Sequence, residues 1–141
     1  MVENYHTIAH GSALEAVAAA VGHGTAGGTP VVAAVVGASG DLVAFLKGGA
    51  APFHSEKIAQ DKAFTAASFK VPTAAVYELV SGSEALCNGI AHQPRVVMFG
   101  GGVPIIVDGN CIGGIGVSGG SEEFDIACAR AAAASIGAKE F

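Results

Sequence analysis

Apolar residues in the first part of the chain recur with a helical period. From Leu14 to Val21 they are spaced three and four apart, which is the pattern of one face of a helix. Ser12 and Glu15 form an S-x-x-E capping box, in which each side chain satisfies a free N–H group of the first turn. The pattern therefore predicts a helix that begins at Ser12 and ends in the glycine-rich stretch after residue 21.

The next apolar residues follow an extended pattern. Val31–Gly37 is apolar throughout and rich in β-branched side chains, which is typical of a buried strand. Ser39–Asp41 has turn composition, and Leu42–Lys47 becomes apolar again. The two runs are separated by a short turn and therefore predict a β-hairpin.

The remaining pattern predicts a long helix, a short helical stretch, three strands and a final helix. In chain order these are Ser55–Phe69, a stretch from Thr73, Val96–Phe99, Val103–Val107, Cys111–Val117 and Ser121–Ile136. Hairpins between neighbouring strands favour an antiparallel sheet. The sequence thus predicts an α+β fold, one domain over residues 1–141, with a sheet of about five strands flanked by helices.

Composition adds an expectation about assembly. Only 13% of the residues are charged and 51% are hydrophobic, so a small monomer has few charges with which to cover its surface. This favours a homo-oligomer. The net charge is −5 and the basic residues are scattered, which argues against nucleic acid as a partner.

Neither a membrane nor an oxidising compartment is indicated. The apolar runs are shorter than the ~18 residues of a membrane span, and the first residues lack the basic and apolar regions of a signal peptide. The three cysteines, Cys87, Cys111 and Cys128, are far apart and odd in number, which favours reduced thiols. The expected location is the cytoplasm.

The stretch Gly113–Gly120, GGIGVSGG, matches two catalytic motifs. It contains the G-x-G-x-x-G of dinucleotide-binding folds, but no second strand with an acidic residue follows it. It also contains the G-x-S-x-G of α/β-hydrolases around Ser118, but no histidine follows Ser118. Ser118 is therefore not expected to be a nucleophile.

Two alternatives remain for this glycine-rich loop. It precedes a helix, so its backbone N–H groups and the helix dipole favour an anion. It is equally consistent with a tight strand-to-helix connection that binds no ligand.

A longer pattern around this loop resembles a known family. Gly100–Gly120, GGGVPIIVDGNCIGGIGVSGG, followed by an acidic helix start with Asp125, resembles the conserved segment of the GlcG/HbpS family. This haem-degrading domain family includes domains like the C-terminal one of PduO. The helix S-E-K-I-A-Q-D-K-A-F-T-A from Ser55 and the F-x-x-P-T exit from Phe69 match it too. The resemblance covers residues from about Ser12 to Gly137.

The resemblance implies a profilin-like fold, usually found in dimers or larger assemblies. It does not imply one activity, because some members bind haem, some are linked to haem breakdown and many have no assigned reaction. Haem is therefore a possible cofactor of this chain. The glutamate-rich iron-binding motif of the secreted haem binder is missing here, and His54 stands where relatives carry an apolar or small residue.

Lys62 is the most informative candidate residue, because it shares a predicted helix face with Ile58, Thr65 and Phe69. A lysine on an apolar face extends its ammonium to solvent, pairs with a buried carboxylate or lines a pocket. The family's K-A-x-T-A lysine falls at this position. His54 lies at the start of the same predicted helix, where an imidazole suits a base or a metal ligand.

The first hypothesis is an oligomeric GlcG-type protein that binds a small anionic or planar ligand, with haem or a related tetrapyrrole as the first candidate. The alternative is a catabolic enzyme that uses Lys62, together with His54, for proton transfer on a small carboxylate or carbonyl compound. A non-catalytic structural subunit is the third class. The metal ligand stays open among the five histidines. The predicted ligand-binding residues are Lys62, Gly100, Gly101, Gly102, Ser118, Gly119 and Gly120.

Overall fold

The computed structural model describes the whole chain from Met1 to Phe141. It contains five α-helices and four strands. In chain order they are α1 (His10–Ala26), β1 (Val32–Gly37), β2 (Leu42–Lys47), α2 (Ser55–Phe69), α3 (Val76–Val80), α4 (Glu84–Ala91), β3 (Gly102–Val107), β4 (Asn110–Ser118) and α5 (Glu122–Ser135). A short 3₁₀ turn, Thr73–Ala75, precedes α3.

The four strands form one antiparallel sheet in the order β2-β1-β4-β3. The α+β fold and the antiparallel sheet flanked by helices are therefore confirmed. The pairing of Val32 with Ser118 and of Gly102 with Gly116 places the ends of β1, β3 and β4 close together. This end of the sheet carries the glycine-rich segments that the sequence singled out.

The prediction of about five strands is wrong by one, because Val96–Phe99 is not a strand. Its backbone bonds to a helix side chain instead of to a neighbouring strand. The Val97 N–H donates to Thr65 Oγ1 at 3.0 Å, and the same hydroxyl donates to the Arg95 carbonyl at 2.8 Å. Arg95 has a left-handed φ of 67°, which turns the chain at this point.

The predicted start of the first helix is also wrong. Helix α1 begins at His10, and its N-cap residue, Ala9, makes no side-chain capping bond, so the capping box at Ser12 is not formed. The Ile8 N–H donates to the Ile112 carbonyl at 2.9 Å and ties the chain to β4 just before the helix. The last helix, by contrast, begins where predicted, because Ser121 Oγ accepts from the Phe124 N–H at 3.1 Å and caps α5.

The two faces of the sheet are covered differently. Helices α1 and α5 cover one face and form the main apolar core with alternate side chains of the strands. Helix α2, together with Ala51 of the preceding loop, covers the other face, where Val32, Ala34 and Val36 of β1 lie opposite small residues. The helix residues of this second contact are alanines spaced four apart: Ala59, Ala63 and Ala67.

Close contact between α2 and β4 depends on two glycines. A Cβ atom at Gly116 would overlap the carbonyl oxygen of Ala59, and one at Gly114 would overlap that of Ala63. The helix backbone therefore lies directly against the strand backbone, which only glycine permits. This is one function of the GGIGVSGG stretch.

None of the helices combines the length and the apolar composition that a membrane-spanning segment needs.

We predict that Gly116→Ala lowers the free energy of unfolding by about 3 kcal/mol, because the added methyl group pushes α2 away from the sheet. Gly22→Ala is the matched control, since nothing lies within 4 Å of a Cβ at this position in α1. Alanine there raises stability by about 0.5–1 kcal/mol through helix propensity. Urea denaturation of both variants measures the two effects, and equal stability of the variants would contradict the packing argument.

Candidate functional site

Lys62 lies in the middle of α2 with only 1% of its surface exposed. Its Nζ atom donates to the Val117 carbonyl at 2.8 Å and to Asp125 Oδ2 at 3.1 Å. Of the alternatives that the sequence left open, the structure shows a buried lysine that pairs with a carboxylate and does not reach solvent at an edge. A buried charge of this kind requires both partners, because each alone is poorly solvated.

The glycines before β3 make room for this lysine. A Cβ atom at Gly101 would lie 2.6 Å from Lys62 Nζ, and one at Gly102 would lie 2.6 Å from the Lys62 carbonyl oxygen. Gly101 also has a φ of 119°, which other residues rarely adopt. The Gly100–Gly102 segment is buried and packs against Lys62.

Side chains from other elements hold the segment before β3 in place. Thr73 Oγ1 accepts from the Gly102 N–H at 2.9 Å, and Glu122 Oε2 accepts from the Gly100 N–H at 3.1 Å. Between Arg95 and Gly100 the chain carries Phe99, whose ring centroid lies 5.1 Å from Lys62 Nζ. The aromatic ring is thus positioned beside the ammonium.

Asp125, in the first turn of α5, occupies the position that the sequence assigned to an anionic ligand. Its Oδ1 atom accepts from the Gly120 N–H at 2.9 Å, while its Oδ2 atom faces Lys62. The glycine-rich loop therefore gives this N–H group to a carboxylate of the same chain. The expectation that the loop offers its N–H groups to a bound anion has to be revised for Gly120.

Burial acts on both members of the pair. It lowers the pKa of the Lys62 ammonium, although Asp125 and Glu122 partly offset this effect. It raises the pKa of the Asp125 carboxyl against the opposing influence of Lys62 and of the backbone hydrogen bonds. Because the two pKa values move towards each other, transfer of the proton from Lys62 to Asp125 costs less here than in water.

A cleft of about 180 Å³ opens beside this pair. Of the predicted site residues, Lys62, His54 and the Ser118–Gly120 loop line this cleft. Gly100–Gly102 do not line it, and Gly101 and Gly102 contact Lys62 from within the protein. Ser118 Oγ and the His54 ring make no hydrogen bond to other protein groups, so both are free to bind a ligand. The remaining lining residues are Pro52, Ser55, Phe99, Glu122 and Asp125.

The five remaining lining residues were not among the predicted ones, and three of them act on Lys62: Asp125, Phe99 and Glu122. A lysine on an apolar helix face calls for a buried carboxylate partner, but this pattern does not identify which acid of the chain supplies it. Phe99 was assigned to a strand, so its position beside Lys62 was hidden. Glu122 belongs to the acidic helix start that the sequence shows, a position that is typical of a favourable charge at a helix N-terminus and does not by itself indicate a site.

Other features of the surface are less suited to chemistry. A larger pocket of about 470 Å³ between α5 and the C-terminal residues is lined mainly by apolar side chains and has no buried charged pair. No group of three or more His, Cys, Asp or Glu side chains is arranged to hold a metal ion. The Lys62 cleft is therefore the candidate site.

Known proteins share this fold and sequence. The family model of the haem-degrading HbpS-like proteins matches residues 8–134, and the chain belongs to this family. The corrinoid adenosyltransferase PduO of Salmonella typhimurium strain LT2 is 39% identical over 108 residues, which are 76% of this chain. They are 32% of PduO, so the chain spans about a third of that relative's length.

Two solved structures are closely similar to this fold. Protein ORFY of Klebsiella pneumoniae has a TM-score of 0.89 and 30% identity, with 99% of this chain and 97% of that chain covered. A PduOC:haem complex has a TM-score of 0.87 and 33% identity, with 95% of this chain and 98% of that chain covered. The resemblance to the GlcG/HbpS family is thereby confirmed.

We predict that Lys62→Met lowers the free energy of unfolding by about 3–5 kcal/mol, because it leaves the Asp125 carboxylate buried without its partner. The double variant Lys62→Met/Asp125→Asn removes both charges and keeps an oxygen for the Gly120 N–H. It should regain at least half of the loss in urea denaturation. An equal loss in both variants would show that the bond to the Val117 carbonyl matters more than the charge pair.

Cys128 gives a second prediction, since it lies one turn after Asp125 in α5 and has no exposed surface. Burial, and secondarily Asp125, raises the pKa of its thiol to about 11, so almost no thiolate forms at pH 8. Cys87 and Cys111 are half-buried. Ellman's reagent should therefore titrate two thiols in the native protein and the third only after unfolding. Rapid reaction of all three thiols would contradict this assignment.

Proposed function

We propose that this protein binds haem or a related tetrapyrrole, with one edge of the ring entering the Lys62 cleft. The observation that carries the proposal is a small cleft that contains the buried Lys62–Asp125 pair and has exposed aromatic side chains beside it. Phe99 is 49% exposed beside the cleft, and Phe53, next to the cleft residues Pro52 and His54, is 80% exposed. Exposed aromatic side chains of this size provide flat surfaces for a planar ligand.

The residues present fit haem in part. The cleft of about 180 Å³ is smaller than the roughly 300–1,000 Å³ of typical ligand pockets, so it holds an edge of the macrocycle and not the whole ring. His54 is the histidine that lines the cleft, and it would supply the nitrogen ligand to the iron. Bound haem would bring its iron chemistry to this site.

The charges of the cleft favour the apolar edge of a planar ring, the edge of haem without its two propionate groups, over a small, highly charged anion. One ammonium, that of Lys62, faces two carboxylates, those of Asp125 and Glu122. Such a set attracts no excess negative charge. The relation to the PduOC:haem complex supports the same choice.

The proposal includes a homo-oligomer. Large apolar side chains are exposed on several elements, and the cleft covers only part of a tetrapyrrole, so a second copy of the chain would cover the rest. These exposed side chains include Leu14, Leu42, Leu46, Tyr77, Leu79 and Leu86. Burial of such residues between subunits is typical of homodimers.

Proton transfer on a small carbonyl compound is the second candidate function, and the geometry of Lys62 and Asp125 favours it. A buried amine and a carboxyl group 3.1 Å apart, beside a cleft, provide an acid and a base in one pair. His54 lies in the same cleft and would act as a further base.

We predict that haem added to the native protein produces a Soret band with a saturable titration. His54→Ala should weaken binding at least tenfold, about 1.4 kcal/mol, and change the Soret position, because the iron loses its protein ligand. His10→Ala is the matched control, since His10 is an exposed residue of α1 on the opposite side of the sheet. No saturable Soret band would overturn the proposal, and equal effects of the two substitutions would exclude His54 as the ligand.

A further inference from the structure

We propose that Lys62 forms a covalent imine with small uncharged aldehydes that enter the cleft. This proposal rests on the second candidate function above and goes further, because it assigns Lys62 as the nucleophile and not only as a proton carrier. It depends on the placement of the amine, a carboxyl partner and a free hydroxyl around one cavity.

The first requirement is a nitrogen that can lose its proton. Lys62 Nζ is removed from water, and its neighbour Asp125 Oδ2 lies 3.1 Å away, in place to accept the proton. Burial lowers the pKa of Lys62 and raises the pKa of Asp125, and both shifts lower the free-energy cost of this proton transfer. An exposed lysine at neutral pH has almost no neutral amine, so the burial separates Lys62 from the other lysines.

The second requirement is a place for the carbonyl group. The cleft is bounded by Lys62, the Ser118–Gly120 loop and Phe99. Ser118 Oγ has no partner within the protein and is free to donate to a carbonyl oxygen. The Phe99 ring is the one large apolar side chain that lines the cleft. A carbonyl compound held between these groups has its carbon near Nζ.

The reaction is a condensation without change of oxidation state. Asp125 takes one proton from the ammonium, and the nitrogen lone pair bonds to the carbonyl carbon while the π pair moves to oxygen. A proton then moves from nitrogen to this oxygen and gives a carbinolamine. Asp125 returns its proton to the hydroxyl group, which leaves as water as the C=N bond forms. The products are a protonated imine on Lys62 and one water molecule.

The cavity defines the class of aldehyde. A volume of about 180 Å³ accommodates a short aliphatic chain. The carboxylates of Asp125 and Glu122 repel anions such as keto acids, and the apolar Phe99 ring favours an uncharged chain. Short unbranched aldehydes such as propionaldehyde are therefore suitable probes.

The test is reductive trapping with propionaldehyde and cyanoborohydride at neutral pH, followed by peptide mass spectrometry. The five lysines compete for the same limiting aldehyde: Lys47, Lys57, Lys62, Lys70 and Lys139. We expect N-propylation of Lys62 to exceed that of each exposed lysine by at least about tenfold. In urea this preference should vanish. Lys62→Arg, with its folding checked by circular dichroism, should lose the preferred adduct.

Labelling confined to the exposed lysines would overturn the proposal, because a buried lysine without this chemistry is the least accessible of the five. Equal labelling of all five in the native protein would overturn it as well. The outcome is separate from haem binding. A Soret titration that fails while Lys62 is trapped removes only the tetrapyrrole proposal, and the opposite result removes only the imine. If trapping fails but the protein still exchanges the α-protons of propionaldehyde with deuterium, the imine proposal is overturned and the proton-transfer function is retained.

Discussion

The contact between the backbone of α2 and the backbone of β4 sets the geometry of the rest of the molecule. Gly114 and Gly116 have no side chains, and the residues of α2 opposite them are alanines, which have the smallest side chain that is common in helices. The helix therefore approaches the sheet more closely than larger side chains would allow. At this depth a long side chain on the sheet-facing side of α2 does not reach solvent, and the glycines thus contribute to the burial of Lys62.

The Lys62–Asp125 pair connects the two layers that cover the sheet. Lys62 belongs to α2 on one face, and Asp125 lies in the first turn of α5, which packs on the other face. The side chains meet at the end of β4, beside the Val117 carbonyl. A change in the protonation of this pair therefore affects both helical layers. The same position places the pair at the edge of a cleft, where a ligand is able to influence it.

Local patterns were sufficient to predict most of the fold. The apolar run Val31–Gly37 and the predicted helix start at Ser121 both depend on neighbouring residues, and the structure has a strand over Val32–Gly37 and a helix capped by Ser121. Val96–Phe99 has the composition of a strand, but its partner is the Thr65 hydroxyl of α2, which no local pattern encodes. Tertiary contacts overrode the propensity of this segment.

The site was predictable only in part for the same reason. Lys62 stood out because a charge on an apolar helix face conflicts with burial. Its partner, Asp125, is 63 residues away in the chain and is joined to it by the packing of both helices on one sheet. Glycine spacing identified the loop correctly as unusual, but it could not distinguish a loop that receives a ligand from one that binds a side chain of its own helix.

This last distinction has a consequence for selectivity. Asp125 accepts the Gly120 N–H hydrogen bond and is only five residues away in the chain. Its effective concentration at this N–H group therefore exceeds the concentration of free anions in solution. Phosphate and other abundant ions would have to displace it and also leave the Lys62 ammonium without a tethered counterion. The loop is thereby insulated from common metabolite anions, and an uncharged molecule meets no such competitor in the cleft.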